Sequence, residues 1–179
     1  LTNVQLVAPP VFKPVYNENN IAKDKEEVLR IGFFGQFRKE KNLEPFIQAF
    51  IRAKFSVPVE LVVQGATAKP EDTALFSSLI EKYKHIPNIV FRHENLIGKD
   101  WEDALLSVDA IAMPYVAERY RYHWGAMLFT AIGYNKPVLV SPELNPEVLA
   151  QFPIGCVIQS LKESDIIHAM QELVNLLSM

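Results

Sequence analysis

From Leu29 onward, short apolar runs and helix-period stretches take turns six times along the 179-residue chain, and few folds accept that order. Leu29 to Gly35 reads as a buried strand closed by glycine. Leu43, Phe46, Ile47, Phe50 and Ile51 then form one helix face, with Asn42 as the expected N-cap and Pro45 in the first turn. Val59 to Val63 is the second strand, and Pro70 opens a helix with Leu75, Leu79, Ile80 and Tyr83 expected inward. Asn88 to Phe91 follows as a strand, then a helix capped by Asp100 with Trp101, Ala104, Leu105 and Val108 on its apolar face. Asp109 to Met113 is the fourth strand, ended by Pro114, and the next helix runs from about Gly125 to Ile132. Pro137 to Val140 is the fifth strand, and Asn145-Pro146-Glu147 caps and opens a short helix. Gly155 to Ile158 is the sixth strand, and Ser160 with Glu163 forms a capping box for a last helix packing Ile166, Ile167, Met170, Val174 and Leu177.

Such an order implies parallel strands joined by right-handed crossovers, with helices on both faces. Residues 28–179 are therefore expected to form one doubly wound, Rossmann-like α/β domain with a parallel sheet of about six strands. Residues 1–27, with Pro9-Pro10, Pro14 and the polar run Tyr16 to Asn20, read as an interdomain linker. The chain opens on leucine, so a fragment with its N-terminal domain missing is the expectation. At 49% hydrophobic, 22% charged and a net charge of −3, the composition excludes a disordered chain or a basic arm for nucleic acid. Cys156 is the only cysteine, which excludes an internal disulfide or a cysteine zinc cluster, and it reads as a small buried hydrophobe. Apolar runs are strand-sized and no leader pattern opens the chain; the lone cysteine makes the cytoplasm the expected location, with peripheral membrane association open for a longer protein.

If the strand order is 3-2-1-4-5-6, a ligand sits where the order reverses, beyond the ends of strands one and four. After strand one comes Gly35-Gln36-Phe37-Arg38-Lys39-Glu40-Lys41-Asn42, running into a helix start. Glycine permits close backbone approach, three cations supply charge, and free amides at the helix start suit a phosphate or diphosphate. A solvated basic loop would read the same way, and only its place at the switch point favours phosphate. After strand four comes Tyr115 to Gly125, with three tyrosines, two arginines, Glu118, His123 and Trp124. Ring stacking on a ligand and an interface hot spot both fit such a loop. Gly32 to Gly35 is not a dinucleotide fingerprint, Gln64-Gly65 ends strand two where a ribose-binding acid would stand, and no metal-ligand cluster is present.

The segments Ile31 to Asn42, Leu61 to Gly65, Asn88 to Phe91, Ser107 to Pro114, Lys136 to Ser141 and Pro146 to Val148 stand in a familiar order. Together they resemble the C-terminal, donor-binding domain of retaining GT-B glycosyltransferases of the glycosyl transferase group 1 kind, glycosyltransferase family 4. The resemblance implies one half of a GT-B fold and transfer of a sugar from a nucleotide-diphosphate donor to a glycan or glycolipid acceptor, as in polysaccharide biosynthesis. Neither a metal nor a cofactor beyond the donor is implied, and the acceptor side would belong to the missing N-terminal domain. Lys41 matches the family's diphosphate lysine, whereas Gln36 stands where the family carries arginine, and Arg38 could supply that charge.

Two family glutamates, eight positions apart, fall on Tyr122 and Thr130 when counted back from Lys136-Pro137. Counted forward from Pro114, the first falls on Glu118, the residue expected to contact the donor sugar in catalysis. The donor-binding set implied is Gly35, Gln36, Arg38, Lys41, Tyr122, His123, Trp124, Gly125 and Thr130, with backbone amides before the fourth helix meeting phosphate. The competing reading is a non-catalytic relative that uses the aromatic loop 115–124 to hold a protein partner.

Overall fold

Successive side chains of a strand point to opposite faces, and here that alternation sorts the core into two layers. The computed structural model describes residues 11–16, 28–116, 118–123 and 125–179. Six parallel strands form a single sheet: β1 (Leu29–Phe33), β2 (Val59–Gly65), β3 (Ile89–His93), β4 (Ala110–Met113), β5 (Val138–Val140) and β6 (Gly155–Val157). Their order is β3-β2-β1-β4-β5-β6, so the direction of winding reverses between β1 and β4. The helices are α1 (Leu43–Arg52), α2 (Pro70–Tyr83), α3 (Gly98–Leu106), α4 (Ala126–Gly133), α5 (Pro146–Gln151) and α6 (Glu163–Leu177).

On one face, Ile31, Leu61, Val63, Ala112 and Leu139 meet Phe46, Ile47 and Phe50 of α1 and Met170, Leu173 and Val174 of α6. On the other, Val62, Ile111, Met113, Val138 and Val140 meet Leu105 of α3 and Leu128 and Ala131 of α4. Burying each large apolar side chain contributes about 1.5–3 kcal/mol. The fold is the doubly wound α/β sheet that the alternation implies.

Local details differ from the sequence reading. The third helix starts at Gly98 with Ile97 at its N-cap, so Asp100 lies in the first turn and favours the positive helix end without capping it. The capping box of α6 does not form: the helix begins at Glu163, which pairs with Arg52. Ser160 instead accepts the Lys162 amide at 3.2 Å and bonds the Asp165 carboxylate. Asn42 and Asn145 hold the N-cap positions of α1 and α5, but both are left-handed (φ 59° and 44°) and neither caps with its side chain. Leu75 and Ile51 are exposed. In α2 the inward position falls to Phe76, which stacks on Phe37 with ring centres 4.9 Å apart.

Residues 1–10 and 17–27 of the expected linker lie outside the described residues. Its segment 11–16 lies against α3, where the buried Glu102 carboxylate accepts the amides of Val15 at 2.7 Å and Tyr16 at 2.9 Å. Cys156 is buried in β6, and burial pushes its thiol up to about 11, so it stays protonated and inert at neutral pH.

Candidate functional site

At the carboxyl ends of β1 and β4 the two halves of the sheet part, and a cleft of about 480 Å³ opens there. Its floor on the β1 side is Phe34, Gly35 and Gln36, with Arg38 and Lys41 above. The loop after β4 forms the facing wall with Tyr115, Arg119, Tyr120 and His123. Gly125, Ala126, Met127 and Thr130 bring the start of α4 to the same space. A second pocket, of about 570 Å³, adjoins it across Gly35, Gln36 and Trp101 and reaches Gln64, Asn95 and Ile97.

The β1 loop owes its shape to Gly35, whose φ of +99° is a region that side-chain-bearing residues avoid. A Cβ there would also stand 3.1 Å from the Lys41 ammonium. Downstream, Phe37 N–H donates to Ala66 at 2.8 Å, which extends the pairing of β1 with β2 beyond the strand end. Gln64 then locks the loop from beneath. Its amide oxygen accepts Gly35 N–H at 3.0 Å, while its nitrogen donates to the main-chain oxygen of Glu94 at 2.6 Å. Only 1% of Gln64 is exposed, so both bonds form in a dry place where an unpaired amide would be costly.

Lys41 closes this loop and lines the cleft. Its ammonium donates to the Phe34 carbonyl at 3.2 Å and sits 5.3 Å from the centre of the Tyr115 ring. Burial, then the neighbouring Arg38 charge, lowers its pKa to about 8, with Glu40 opposing the shift. Burial likewise pushes the Tyr115 hydroxyl up, so the ring serves as a neutral face.

On the far wall, Asn145 fixes the approach to α4. Its oxygen accepts the Gly125 amide at 3.2 Å, and its nitrogen donates to the His123 carbonyl at 3.3 Å. A Cβ on Gly125 would come within 2.5 Å of that same oxygen, so glycine is needed for the close approach. Two of the amides expected to meet phosphate are thus engaged internally, since His123 N–H donates to the Arg119 carbonyl at 3.0 Å. Among the described residues, the N–H groups of Ala126 and Met127 in the first turn of α4 have no protein acceptor, and both residues line the cleft. Thr130 donates its hydroxyl to Ala126 at 2.8 Å, leaving the oxygen as an acceptor only.

Of the residues singled out from sequence, Gly35, Gln36, Arg38, Lys41, His123, Gly125 and Thr130 come together at the cleft. Glu118 and Tyr122 do not line it: Glu118 is exposed in the turn Glu118–Arg121, and Tyr122 is 79% exposed. Trp124 lies outside the described residues. The cleft's described lining contains no carboxylate. Sequence reasoning passed over Gln64 as a strand end and read Asn145 only as a cap, because their partners are 29 to 30 and 20 to 22 positions away. Among the described residues, no group of three or more His, Cys, Asp or Glu side chains is placed to hold a metal, and no helix is long and apolar enough to cross a membrane.

Several solved structures share this fold. The catalytic domain of starch synthase IV from Arabidopsis thaliana, bound to ADP and acarbose, superposes with a TM-score of 0.67 at 12% identity, over 87% of this chain and 32% of that one. The C-terminal domain of the glycosyl transferase group 1 family protein LpcC from Francisella tularensis matches with a TM-score of 0.61 at 21% identity, over 93% of both chains. This is the fold of a glycosyltransferase C-terminal domain. WaaG, a glycosyltransferase involved in lipopolysaccharide biosynthesis, matches with a TM-score of 0.64 at 22% identity, over 84% of this chain and 39% of that one. Against starch synthase IV and WaaG the chain spans well under half of the solved protein. No protein-family sequence model matches the chain, and neither does any curated protein sequence.

Proposed function

We propose that this domain is the donor half of a glycosyltransferase and that its cleft receives the diphosphate of a nucleotide sugar. The observation that carries the reading is the meeting of Lys41, Arg38 and two unengaged amides of α4 on one cleft at the β1–β4 switch point. A helix start and two cations facing a cleft with no carboxylate among its described lining residues suit an anion of high charge. Such groups do most for transfer when they stabilise the negative charge that develops on the departing nucleoside diphosphate. The adjoining pocket, with the amide side chains of Gln64 and Asn95 on its wall, offers room for the base. The ADP held by starch synthase IV, a protein of the same fold, supports a nucleoside diphosphate as the ligand class.

The finer parts of the reading rest on the resemblance. They are a metal-independent transfer with retained configuration, a glycan or glycolipid acceptor, a role in polysaccharide biosynthesis, an acceptor domain preceding this one, and a cytoplasmic location. Glu118 as the residue at the donor sugar, and Tyr122 and Trp124 as donor contacts, belong to the same proposal. Glu118 and Tyr122 reach the sugar only if the turn Glu118–Arg121 folds inward when donor binds. The scaffold reading draws on one observation, the exposure of Tyr122, while Tyr115 and Tyr120 face the cleft.

Calorimetric titration with UDP, GDP, ADP and CMP in the presence of EDTA tests the proposal. One diphosphate is expected to bind, with Lys41→Ala abolishing most of the affinity. No heat with any of the four at millimolar nucleotide would overturn it.

A further inference from the structure

A third cation borders the cleft, and a single acid holds it there. Arg119 reaches from the β4 loop to the β1 loop, with Nη2 placed 2.5 Å from Glu40 Oε1. Its guanidinium lies 5.1 Å from the centre of the Tyr120 ring. Glu40 also accepts Val116 N–H through its main chain at 2.9 Å, so the two loops are joined at this point twice over. Arg38 stands 4.0 Å from the same carboxylate, at the outer limit of pairing. Arg119, Arg38 and Lys41 all line the cleft, whereas Glu40 does not.

An ion pair in which the side chains keep 41% and 31% of their surface in water is screened and holds its partners only weakly. A guanidinium bonded to a diphosphate meets a higher negative charge and gains a two-pronged, charge-assisted geometry besides. The exchange therefore favours phosphate.

We propose that Arg119 is a donor-binding residue that leaves Glu40 for the diphosphate. Glu40 is its holding site, keeping the guanidinium over the cleft while the cleft is empty. Tyr120, beneath the guanidinium, limits how far it travels. The inference rests on the nucleoside-diphosphate reading above.

The test is calorimetric titration of the wild type, Arg119→Ala, Glu40→Gln and the double variant with UDP, GDP, ADP and CMP. Whichever diphosphate binds the wild type is then repeated as its nucleoside. Arg119→Ala is expected to weaken the diphosphate roughly tenfold or more while leaving the nucleoside unchanged. Glu40→Gln is expected to strengthen the diphosphate several-fold, and that gain is expected to shrink in the Arg119→Ala background. If Arg119 only straps the loops together, Glu40→Gln weakens binding, as Arg119→Ala does, and the inference falls. A Glu40→Gln gain that persists undiminished without Arg119 overturns it too, since the acid then acts by its own repulsion. Diphosphate binding that survives Arg119→Ala intact overturns this inference alone, whereas a wild type that binds none of the four overturns the underlying reading with it.

Discussion

The ammonium of Lys41 donates to the main-chain oxygen of Phe34 at 3.2 Å, which ties the cation of the β1–α1 loop to the end of β1 itself. Lys41 is thereby held in place before any ligand arrives, at the expense of its hydration. The cost shows in its pKa, lowered by burial to about 8 from the ordinary 10.5.

That shift sets a pH dependence with opposite signs for binding and stability. Nucleoside-diphosphate affinity is expected to fall as pH rises through about 8, because neutral lysine no longer offers a cation. The loss approaches roughly tenfold per pH unit, the limit for one coupled proton. Stability moves the other way. Between about 8 and 10.5 the unfolded chain binds more protons at this site than the folded one, so Lys41 favours folding increasingly as pH rises. Titrations and urea melts at pH 7, 8 and 9, each compared with Lys41→Met, separate the two effects; a flat binding profile would remove Lys41 from the site.

Gly35→Ala is expected to impair the cleft directly. A non-glycine residue at positive φ costs about 1–3 kcal/mol, and the added Cβ meets Lys41 Nζ at 3.1 Å. Urea unfolding is expected to report a loss of that size. Calorimetry is expected to report a larger proportional loss of diphosphate affinity than Arg52→Ala, an exposed change far from the cleft.

Asn145→Ala removes the acceptor of the Gly125 amide and the donor to the His123 carbonyl in one step. Leaving a buried amide without a partner costs about 1–3 kcal/mol. The expected result is a destabilised domain in which the amide resonances of Gly125 and Ala126 shift while those of α6 stay in place. Asn145→Asp keeps the acceptor and loses the donor, and is expected to fall between.

Gln64→Met tests the brace under the phosphate loop. Both the Gly35 N–H and the Glu94 carbonyl lose a partner 2.6–3.0 Å away, with the volume of the side chain nearly kept. Faster amide hydrogen exchange at Gly35 is expected, together with weaker diphosphate binding. Unchanged exchange at Gly35 would show that the backbone holds the loop without the side chain.

The fold was legible because its signals are local. Apolar runs such as Leu61 to Val63 need no partner to be recognised, and their alternation with helical stretches dictates the crossovers. Gly35, Arg38 and Lys41 were legible for the same reason, standing in one loop between a strand and a helix. Arg119 and Gln64 act through Glu40 and Glu94, 79 and 30 residues away, and no periodicity reports pairings that only the folded sheet creates. Ser160 and Asp100 carried genuine capping chemistry, yet the helices start two or three residues off, because packing against the sheet sets the start as much as the cap does. Glu118 was legible only through resemblance, and the structure places it on the surface, outside the cleft.

An amide-resolved NMR titration with UDP, GDP, ADP and CMP tests the central claim most directly. The account predicts saturable shifts from one diphosphate, concentrated at Gly35 to Asn42 and at Gly125 to Thr130, and absent in Lys41→Ala. Shifts confined to Tyr122 and the exposed turn around it, or no saturable shifts with any of the four, would contradict it.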